Sequence, residues 1–235
     1  MAYSFGAPSI SQDGLTFYID AANKDSYPGS GTNVTDLMGN DNGTTTTSGM
    51  FNNINAGVFN FDATDEGIDI PTSASFGLNN TLIMWWKFGE PDDTLGGYVL
   101  DGGALTSDQG INLNMYSAGG YDYVVYTLGN GAGGRITKYF NPVRTAMGID
   151  GSTWGHLAIV RSNDGDKVEM FVNGVSTASN TGCGSIETMF FSIGRNKGST
   201  HLPSEGDMAL MQGYTRALSD EEVVQNYNAL KGRFS

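Results

Sequence analysis

Residues Trp154–Val175, WGHLAIVRSNDGDKVEMFVNGV, contain two runs that are rich in apolar and β-branched residues. The first run is Leu157–Val160 and the second is Val168–Val172. Asn-Asp-Gly-Asp lies between them, and an Asn-Gly pair follows the second. Asp-Gly and Asn-Gly pairs supply the positive φ angles that tight hairpin turns require. The stretch is therefore predicted to form strand, turn, strand, turn and strand.

The two runs differ in how their apolar residues are distributed. In the second run Val168, Met170 and Val172 share one face of the predicted strand, while Glu169 and Phe171 share the other. In the first run the residues of both faces are apolar. We therefore expect the first strand to lie centrally in a sheet that is covered on both sides.

Further strand patterns extend through the chain on either side of this hairpin. The 34 glycines indicate many turns, because glycine enters left-handed backbone regions without steric cost. Strands are predicted at residues 14–20, 44–47, 58–70 (two short strands around an acidic loop), 81–88, 98–100, 111–116, 121–128, 135–140, 189–193 and 208–214. We assign residues 1–235 to a single all-β domain with an N-terminal arm at residues 1–13.

Only the C-terminal stretch, residues 219–231, is predicted to be helical. Ser219 and Glu222 have the spacing of a capping box, in which each side chain bonds to the backbone amide of the other residue. The apolar residues that follow recur at helical spacing: Val223, Tyr227 and Leu230. Gly232 is expected to end the helix.

Composition disfavours several classes of function. A net charge of −13 disfavours binding to nucleic acid phosphates or an anionic membrane, and it suits neutral glycans, cations or a basic protein partner. The alternative is a plain acidic, solvated surface. We expect no membrane insertion, because no window approaches the ~18 apolar residues of a span. The N-terminus lacks the pattern of a signal peptide and Cys183 is the only cysteine, which favours a reducing cytoplasm.

Several segments, taken in order, resemble the laminin G-like branch of the concanavalin A-like lectin/glucanase superfamily: FNFDATDEGIDI, TLIMWWKF, WGHLAIVR, VEMFVNGV, SIGR and GDMALMQGYTRALSDEEV. The resemblance covers residues 14–234. The opening GLTFYIDAANKDSYPGSGT and the closing TRALSDEEVVQNYNALKGRF are similar to laminin G-like domains of tailed-phage virion proteins, especially from aquatic phages. The resemblance to the superfamily implies an all-β jelly-roll β-sandwich of two antiparallel sheets with a short C-terminal helix.

We do not expect this chain to be an enzyme. Glucanases of this superfamily carry a Glu-x-Asp-x-x-Glu strand that places two carboxylates on one face, and the chain has no such pattern. Its only histidines, His156 and His201, do not indicate a Ser-His-Asp arrangement. His156 follows Trp154 at a place where the superfamily often carries histidine, so we expect His156 to have a packed, hydrogen-bonded structural role. Trp154 is likewise expected to be structural.

The resemblance also raises the question of calcium binding, because members of the superfamily often bind this ion. Four acidic residues crowd one predicted loop: Asp62, Asp65, Glu66 and Asp69. Oxygen donors in a flexible loop suit Ca²⁺. However, the Asp and Glu of the superfamily's last-strand motif correspond here to Ala209 and Leu210. We therefore expect an exposed acidic loop, weak or no calcium dependence, and no other cofactor.

Aromatic residues near Gly-rich loops are the sequence's candidates for sugar binding, since sugars stack on aromatic rings. Four tyrosines cluster in one region: Tyr116, Tyr121, Tyr123 and Tyr126. The alternative is that they occupy ordinary half-buried sheet positions.

Two functions are compatible with these features. The resemblance implies a non-enzymatic structural protein on the exterior of a bacteriophage virion, assembled in the host cytoplasm. It would be oligomeric in the particle and bound to other virion proteins, as a head decoration or a tail, neck or fibre component. The alternative is an adhesin module that binds host-surface glycans. The phage interpretation rests on analogy of fold and family.

Overall fold

The computed structural model describes residues 9–61, 66–89, 97–103, 109–118, 121–130, 134–147, 152–196 and 205–234. These residues form two antiparallel β-sheets that pack face to face. The predicted all-β sandwich with a short C-terminal helix is confirmed.

The first sheet contains the central hairpin of the sequence. Its strands are β1 (Leu15–Asp20), β4 (Phe51–Asn52), β5 (Val58–Phe61), β7 (Asn80–Phe88), β12 (Gly155–Ser162), β13 (Lys167–Val172), β14 (Val175–Asn180) and β16 (Gly206–Tyr214). Their spatial order is β14-β13-β12-β7-β16-β5-β4, and β1 also pairs with β16.

The second sheet lies on the other side of the core. Its strands are β2 (Asn33–Val34), β3 (Gly43–Thr45), β6 (Ile68–Ser75), β8 (Gly97–Asp101), β9 (Gln109–Ala118), β10 (Tyr121–Asn130), β11 (Arg135–Phe140) and β15 (Met189–Ile193). Their spatial order is β11-β10-β9-β8-β15-β6-β3-β2.

Two helices accompany the sheets in the described part of the chain. Helix α1 spans Asn141–Met147 and helix α2 spans Asp220–Leu230. Single 3-10 turns occur at Ile54–Ala56 and Lys231–Arg233. None of the described helices is long and apolar enough to cross a membrane.

The main core fills the space between the two sheets. On β7 every second side chain points into it, including Met84 and Trp86, and the ring of Trp86 stacks on Phe61 with centroids 5.0 Å apart. On β10 the inward residues are Val124, Tyr126 and Leu128. This alternation follows from the two-residue period of a strand.

The outer face of the first sheet is also apolar, and α2 covers it. Ile83 on β7 and Val160 on β12 pack with Val223 of α2 in a second buried cluster. Strands β7 and β12 are therefore buried on both faces, as the sequence of β12 predicted. Burial on both faces explains why neither strand alternates between apolar and polar residues.

The turns of the central hairpin have the predicted backbone. Asn173 and Gly174 join β13 to β14 with φ values of 52° and 80°. Asn163, Asp164 and Gly165 join β12 to β13 with φ values of 55°, 52° and 85°. Residue pairs with positive φ twist in the same sense as the strands, so they close such hairpins without strain.

Three local predictions differ from the structure. Helix α1 was missed, although Pro142 near its start and the buried pair Val143 and Met147 are helical signals. The strands β2 and β4 were not predicted, because two residues are too few to show the alternation of a strand. Gly232 does not adopt a left-handed conformation, because α2 continues into a 3-10 turn instead.

A polar network fastens α2 to the start of the chain. The Ser219 hydroxyl accepts the Glu222 amide at 3.3 Å, and Glu222 accepts the Ser219 amide at 2.9 Å, so the capping box is present. Glu222 also pairs with Arg216 at 2.7 Å and accepts the Ser11 hydroxyl at 3.1 Å. The Arg216 guanidinium lowers the pKa of Glu222 to about 2. The buried Asn226 side chain accepts the Ser11 amide at 2.7 Å.

We predict that Ser219→Ala lowers the free energy of unfolding by ~1 kcal/mol, the usual cost of losing a helix cap. Urea denaturation would measure the change. Ser30→Ala is the matched control, since Ser30 is an exposed serine without a described hydrogen bond. Equal stability of both variants would show that the cap does not hold the helix.

Candidate functional site

A cleft lined mostly by aromatic rings opens on the outer face of the first sheet, beside the C-terminal end of α2. Its volume is about 270 Å³. We call it the aromatic cleft and define it by its lining residues: Trp85, Trp154, Asn173, Tyr227, Lys231, Gly232 and Phe234.

Each side chain reaches the cleft from a different element. Trp85 lies on β7 and points outward because its neighbour Trp86 points into the core. Trp154 immediately precedes β12, and Tyr227 lies on α2. Phe234 follows the 3-10 turn that ends the helix. Strand pairing, helix packing and the C-terminal turn therefore all have to form before the cleft exists.

The rings form a continuous stack. Trp85 lies against Phe234 with ring centroids 4.2 Å apart and planes inclined by 19°. It also stacks on Tyr227 at 5.7 Å and 13°. Trp154 meets Phe234 at 4.8 Å in a tilted contact. Trp85 is only 2% exposed, whereas Trp154, Tyr227 and Phe234 are partly exposed. The last three rings therefore form the accessible aromatic surface.

Three cationic side chains lie against these rings. The Lys87 ammonium is 5.9 Å from the Trp154 centroid, and the Lys231 ammonium is 5.4 Å from that of Tyr227. The Arg233 guanidinium is 5.2 Å from the Phe234 centroid. The negative face of an aromatic ring attracts cations in this geometry.

Asn173 supplies an oriented amide at the cleft wall. Its side-chain oxygen accepts the His156 backbone N–H at 3.0 Å, and its own backbone N–H donates to the His156 carbonyl at 2.9 Å. With the oxygen engaged, the Nδ2 group keeps its two N–H donors. They have no acceptor among the described residues. The left-handed turn at Asn173 thus presents hydrogen-bond donors beside aromatic faces.

His156 lies beneath the cleft and is fully buried. Its ring meets Trp85 at 5.4 Å and Tyr227 at 5.6 Å, both edge to face. The expected packing is present, but the expected side-chain hydrogen bond is not: neither ring nitrogen has a partner within the described part of the structure. Burial lowers the pKa of His156 to about 3, because desolvation penalises the charged imidazolium. The imidazole is therefore neutral at neutral pH.

Comparison with known families now identifies the fold. A family model of the concanavalin A-like lectin/glucanases superfamily, of the laminin G type, matches residues 62–224. The chain belongs to this superfamily. A search of curated proteins found no match.

Solved structures with the same lectin/glucanase fold include several binding domains. Domain 4 of AbnA, a GH43 extracellular arabinanase from Geobacillus stearothermophilus, was solved in complex with arabinotriose. It matches with a TM-score of 0.63 and 17% identity, over 92% of this chain and 100% of that one. The binding domain of Paraclostridial Mosquitocidal Protein 1 matches with a TM-score of 0.62 and 16% identity over 92% of this chain.

The binding domain of Botulinum Neurotoxin DC, solved in complex with SialylT, matches with a TM-score of 0.66 and 12% identity over 93% of this chain. The chain spans only 52% of the length of this neurotoxin domain and of the mosquitocidal one. At these identities the likeness establishes the fold.

The predicted tyrosine region lies on the second sheet of this lectin-like sandwich. In the pairing of β9 with β10, Tyr123 lies opposite Tyr116, and Tyr121 lies opposite Ala118. Tyr123 packs edge to face against Tyr139 of β11 at 5.7 Å, and Tyr139 is 60% exposed. Tyr139 was not among the tyrosines predicted from sequence, and the β10–β11 register brings it to the same face as Tyr123.

Tyr126 lies on the opposite face of β10. Its side chain is fully buried in the main core, where burial raises its pKa to about 12. The physical reason is the strand period: Tyr123 and Tyr126 are three positions apart and point to opposite sides of the sheet. Tyr126 therefore faces the core, more deeply buried than the half-buried position of the alternative interpretation, and it does not share an accessible surface with Tyr123.

The predicted calcium loop is only partly described. Asp62 and Asp65 lie outside the described residues. The Asp69 carboxylate is engaged by the Arg195 guanidinium at 2.8 Å, and Glu66 accepts the Thr47 hydroxyl at 3.4 Å. Among the residues that the structure describes, no group of three His, Cys, Asp or Glu side chains is arranged to hold a metal ion. The calcium expectation stays a prediction.

Some residues of the cleft were not predicted from sequence as site residues: Trp85, Asn173 and Phe234. The residues with expected structural roles are placed as follows: Trp154 lines the cleft, His156 supports it, and Ser219 and Glu222 cap α2. The available signal for Trp85 was the Trp-Trp pair, since one of two adjacent strand residues has to face away from the core.

We predict that stability falls with pH below about 6.5 because of His156. Its pKa is lower in the folded chain than in the unfolded chain, so the unfolded state binds a proton first. The neutral, buried His156 contributes to the free energy of unfolding above the unfolded pKa, and this contribution is lost as the pH falls towards 3. Between pH 6.5 and pH 5 the free energy of unfolding should fall by about 2 kcal/mol. Urea denaturation at a series of pH values measures this slope.

His156→Phe should flatten the slope while keeping an aromatic ring against Trp85 and Tyr227. His201→Gln is the control, because His201 is the other histidine of the chain. A slope that survives in His156→Phe and disappears in His201→Gln would contradict the prediction.

Proposed function

We propose that this chain is a non-catalytic glycan-binding module and that the aromatic cleft holds a sugar ring. The observation that carries the proposal is the combination, in one cleft, of three partly exposed aromatic rings with the unengaged amide donors of Asn173.

The chemistry of a sugar ring matches this combination. A sugar has an apolar C–H face, which packs on an aromatic ring, and a rim of hydroxyls, which accept and donate hydrogen bonds. Trp154 and Phe234 offer ring surface, and Asn173 offers donors whose direction is fixed by its bond to the His156 amide. Because the side chains are already held by stacking, little conformational entropy is lost when a ligand binds.

The similar solved structures support a binding role. Two of them are binding domains of toxins, and the third is a domain of an arabinanase in complex with arabinotriose. The likeness covers the whole of that arabinanase domain but half of the toxin domains. We therefore propose binding for the module alone and leave the larger proteins' activities aside.

The cleft lacks the groups that glycoside hydrolysis requires. Hydrolysis uses a pair of carboxylates that flank the scissile bond. Among the described residues lining the cleft there is no aspartate and no glutamate. This composition supports ligand binding without cleavage.

The tyrosine region of the second sheet is the other place where a glycan could stack. Tyr123 and Tyr139 form an aromatic pair there, and Tyr139 is exposed. The sequence pattern predicts a sugar site in this tyrosine region, whereas the geometry of the aromatic cleft favours a sugar site on the first sheet. The two surfaces lie on different sheets, so single substitutions separate them.

We predict that Trp154→Ala weakens glycan binding about fivefold or more and lowers retention on a glycan array, because stacking on one aromatic ring contributes ~1 kcal/mol or more. Tyr123→Ala should leave retention unchanged. Each variant is the other's control, and thermal unfolding should confirm that both are folded. Loss of binding in Tyr123→Ala alone would place the site on the second sheet, and binding to no glycan by the unmodified chain would end the proposal.

A second candidate function is a structural role on the exterior of a bacteriophage particle. It is favoured by the resemblance of residues 14–32 and 215–234 to phage virion proteins. In the structure these two stretches adjoin: the Thr215 amide donates to the carbonyl of Gly14 at 2.9 Å, and Arg233 pairs with Asp20 at 2.8 Å. A glycan-binding module displayed on a particle would combine both roles, and its partners would then be other virion proteins.

Mass spectrometry of purified particles from a phage that encodes the chain tests this second candidate. We expect the chain to be present in intact particles after washing. Many copies relative to the major capsid protein would indicate head decoration, and a few would indicate a tail or neck component. Its absence from intact particles, with the chain found only in the lysate, would exclude the virion role and leave the glycan proposal standing.

A further inference from the structure

The charges around the aromatic cleft are not balanced. Lys87 is paired with Asp207 at 2.7 Å. Arg233 is paired with Asp20 at 2.8 Å and also donates to the backbone carbonyls of Asn55 and Gly57. Among the described residues, these three cations and two carboxylates leave a net local charge of +1. The remaining charge belongs to Lys231.

We propose that the cleft binds a sugar that carries a carboxylate, and that Lys231 pairs with this group. The inference rests on the proposed glycan-binding function and adds the class of ligand. Lys231 is exposed, lines the cleft, and forms no ion pair with any carboxylate in the described part of the chain. Its ammonium group is held over the Tyr227 ring, at the side of the surface on which the sugar would stack.

The negative overall charge of the chain makes the positive charge of Lys231 an indication of the ligand's charge. At −13 the protein repels anions at long range, so an anionic ligand requires a local cation at its binding site. Among the described residues around the cleft, carboxylates neutralise Lys87 and Arg233, and Lys231 is the cation without a carboxylate partner. A neutral glycan would need no such charge.

A purely structural role for Lys231 predicts a different outcome. The C-terminal end of α2 carries a partial negative charge, and a lysine at that position stabilises the helix. That role requires a positive charge near the helix end but no preference among ligands. Binding measurements with matched acidic and neutral sugars therefore distinguish the two roles.

The experiment begins with the unmodified chain on a glycan array that contains acidic glycans and their neutral counterparts. Two matched solution probes are trigalacturonate with galactotriose and 3′-sialyllactose with lactose. Isothermal titration with the probes that resemble array hits gives the affinities. We expect acidic glycans to be retained and their neutral counterparts to bind at least about tenfold more weakly, the effect of one charge-assisted contact.

Lys231→Gln should remove this preference and leave the affinity for neutral sugars within about twofold. Lys24→Gln is the matched control, because Lys24 is also exposed and its ammonium lies 5.3 Å from the centroid of Phe51, outside the cleft lining. It should bind like the unmodified chain.

The outcomes separate this inference from the proposed function. If neutral glycans bind as well as acidic ones, or if Lys231→Gln keeps the preference, the acidic-sugar inference is wrong and the glycan-binding function stands. If no glycan of either class is retained, both are wrong. Equal losses in Lys231→Gln and Lys24→Gln would indicate a general charge effect and would overturn the role of Lys231.

Discussion

The sandwich depends on a buried arginine. Arg161 is the penultimate residue of β12 and is fully inaccessible to solvent, yet no described carboxylate pairs with it. Its guanidinium instead donates to the carbonyls of Ile186, Gly165 and Gly184 at 2.6–3.2 Å, and to the Thr188 hydroxyl at 2.8 Å. A buried charge is tolerated only where dipoles replace water. These carbonyls belong to the β12–β13 turn and to the segment that crosses from β14 of the first sheet to β15 of the second. One side chain therefore holds the hairpin and the crossover together.

The same strand connects this anchor to the aromatic cleft. The cleft is built around the start of β12, and the arginine lies near its end. In the register of β12 with β7, His156 lies opposite Trp85, and both side chains point to the outer face of the first sheet. Because β12 is buried on both faces, its position is set by the core on one side and by α2 on the other. Packing within the chain consequently holds the aromatic residues of the cleft in place.

The proposed binding function needs an accessible surface on a rigid framework, and the first sheet provides both. Membership of the concanavalin A-like superfamily accounts for the framework but does not specify a ligand, since one fold carries many functions. The ligand has to be inferred from the site itself. In the aromatic cleft, ring faces, an oriented amide and one unbalanced lysine occur within a single volume of about 270 Å³. That combination of apolar surface and directed polar groups is typical of sites for small polar ligands.

The sequence by itself determined the features that depend on neighbouring residues. The two-residue period of Val168–Val172, the positive φ of Asn173-Gly174 and the cap between Ser219 and Glu222 are local, because each is set within a few positions. Only the tertiary structure decided which of Trp85 and Trp86 faces outward, because α2 covers one face of β7 and the second sheet covers the other. It also placed Tyr126 in the core and brought the cleft together from β7, the β13–β14 turn, α2 and the C-terminal segment. Residues so far apart in the chain meet through strand register and helix packing, and neither is visible in a local pattern.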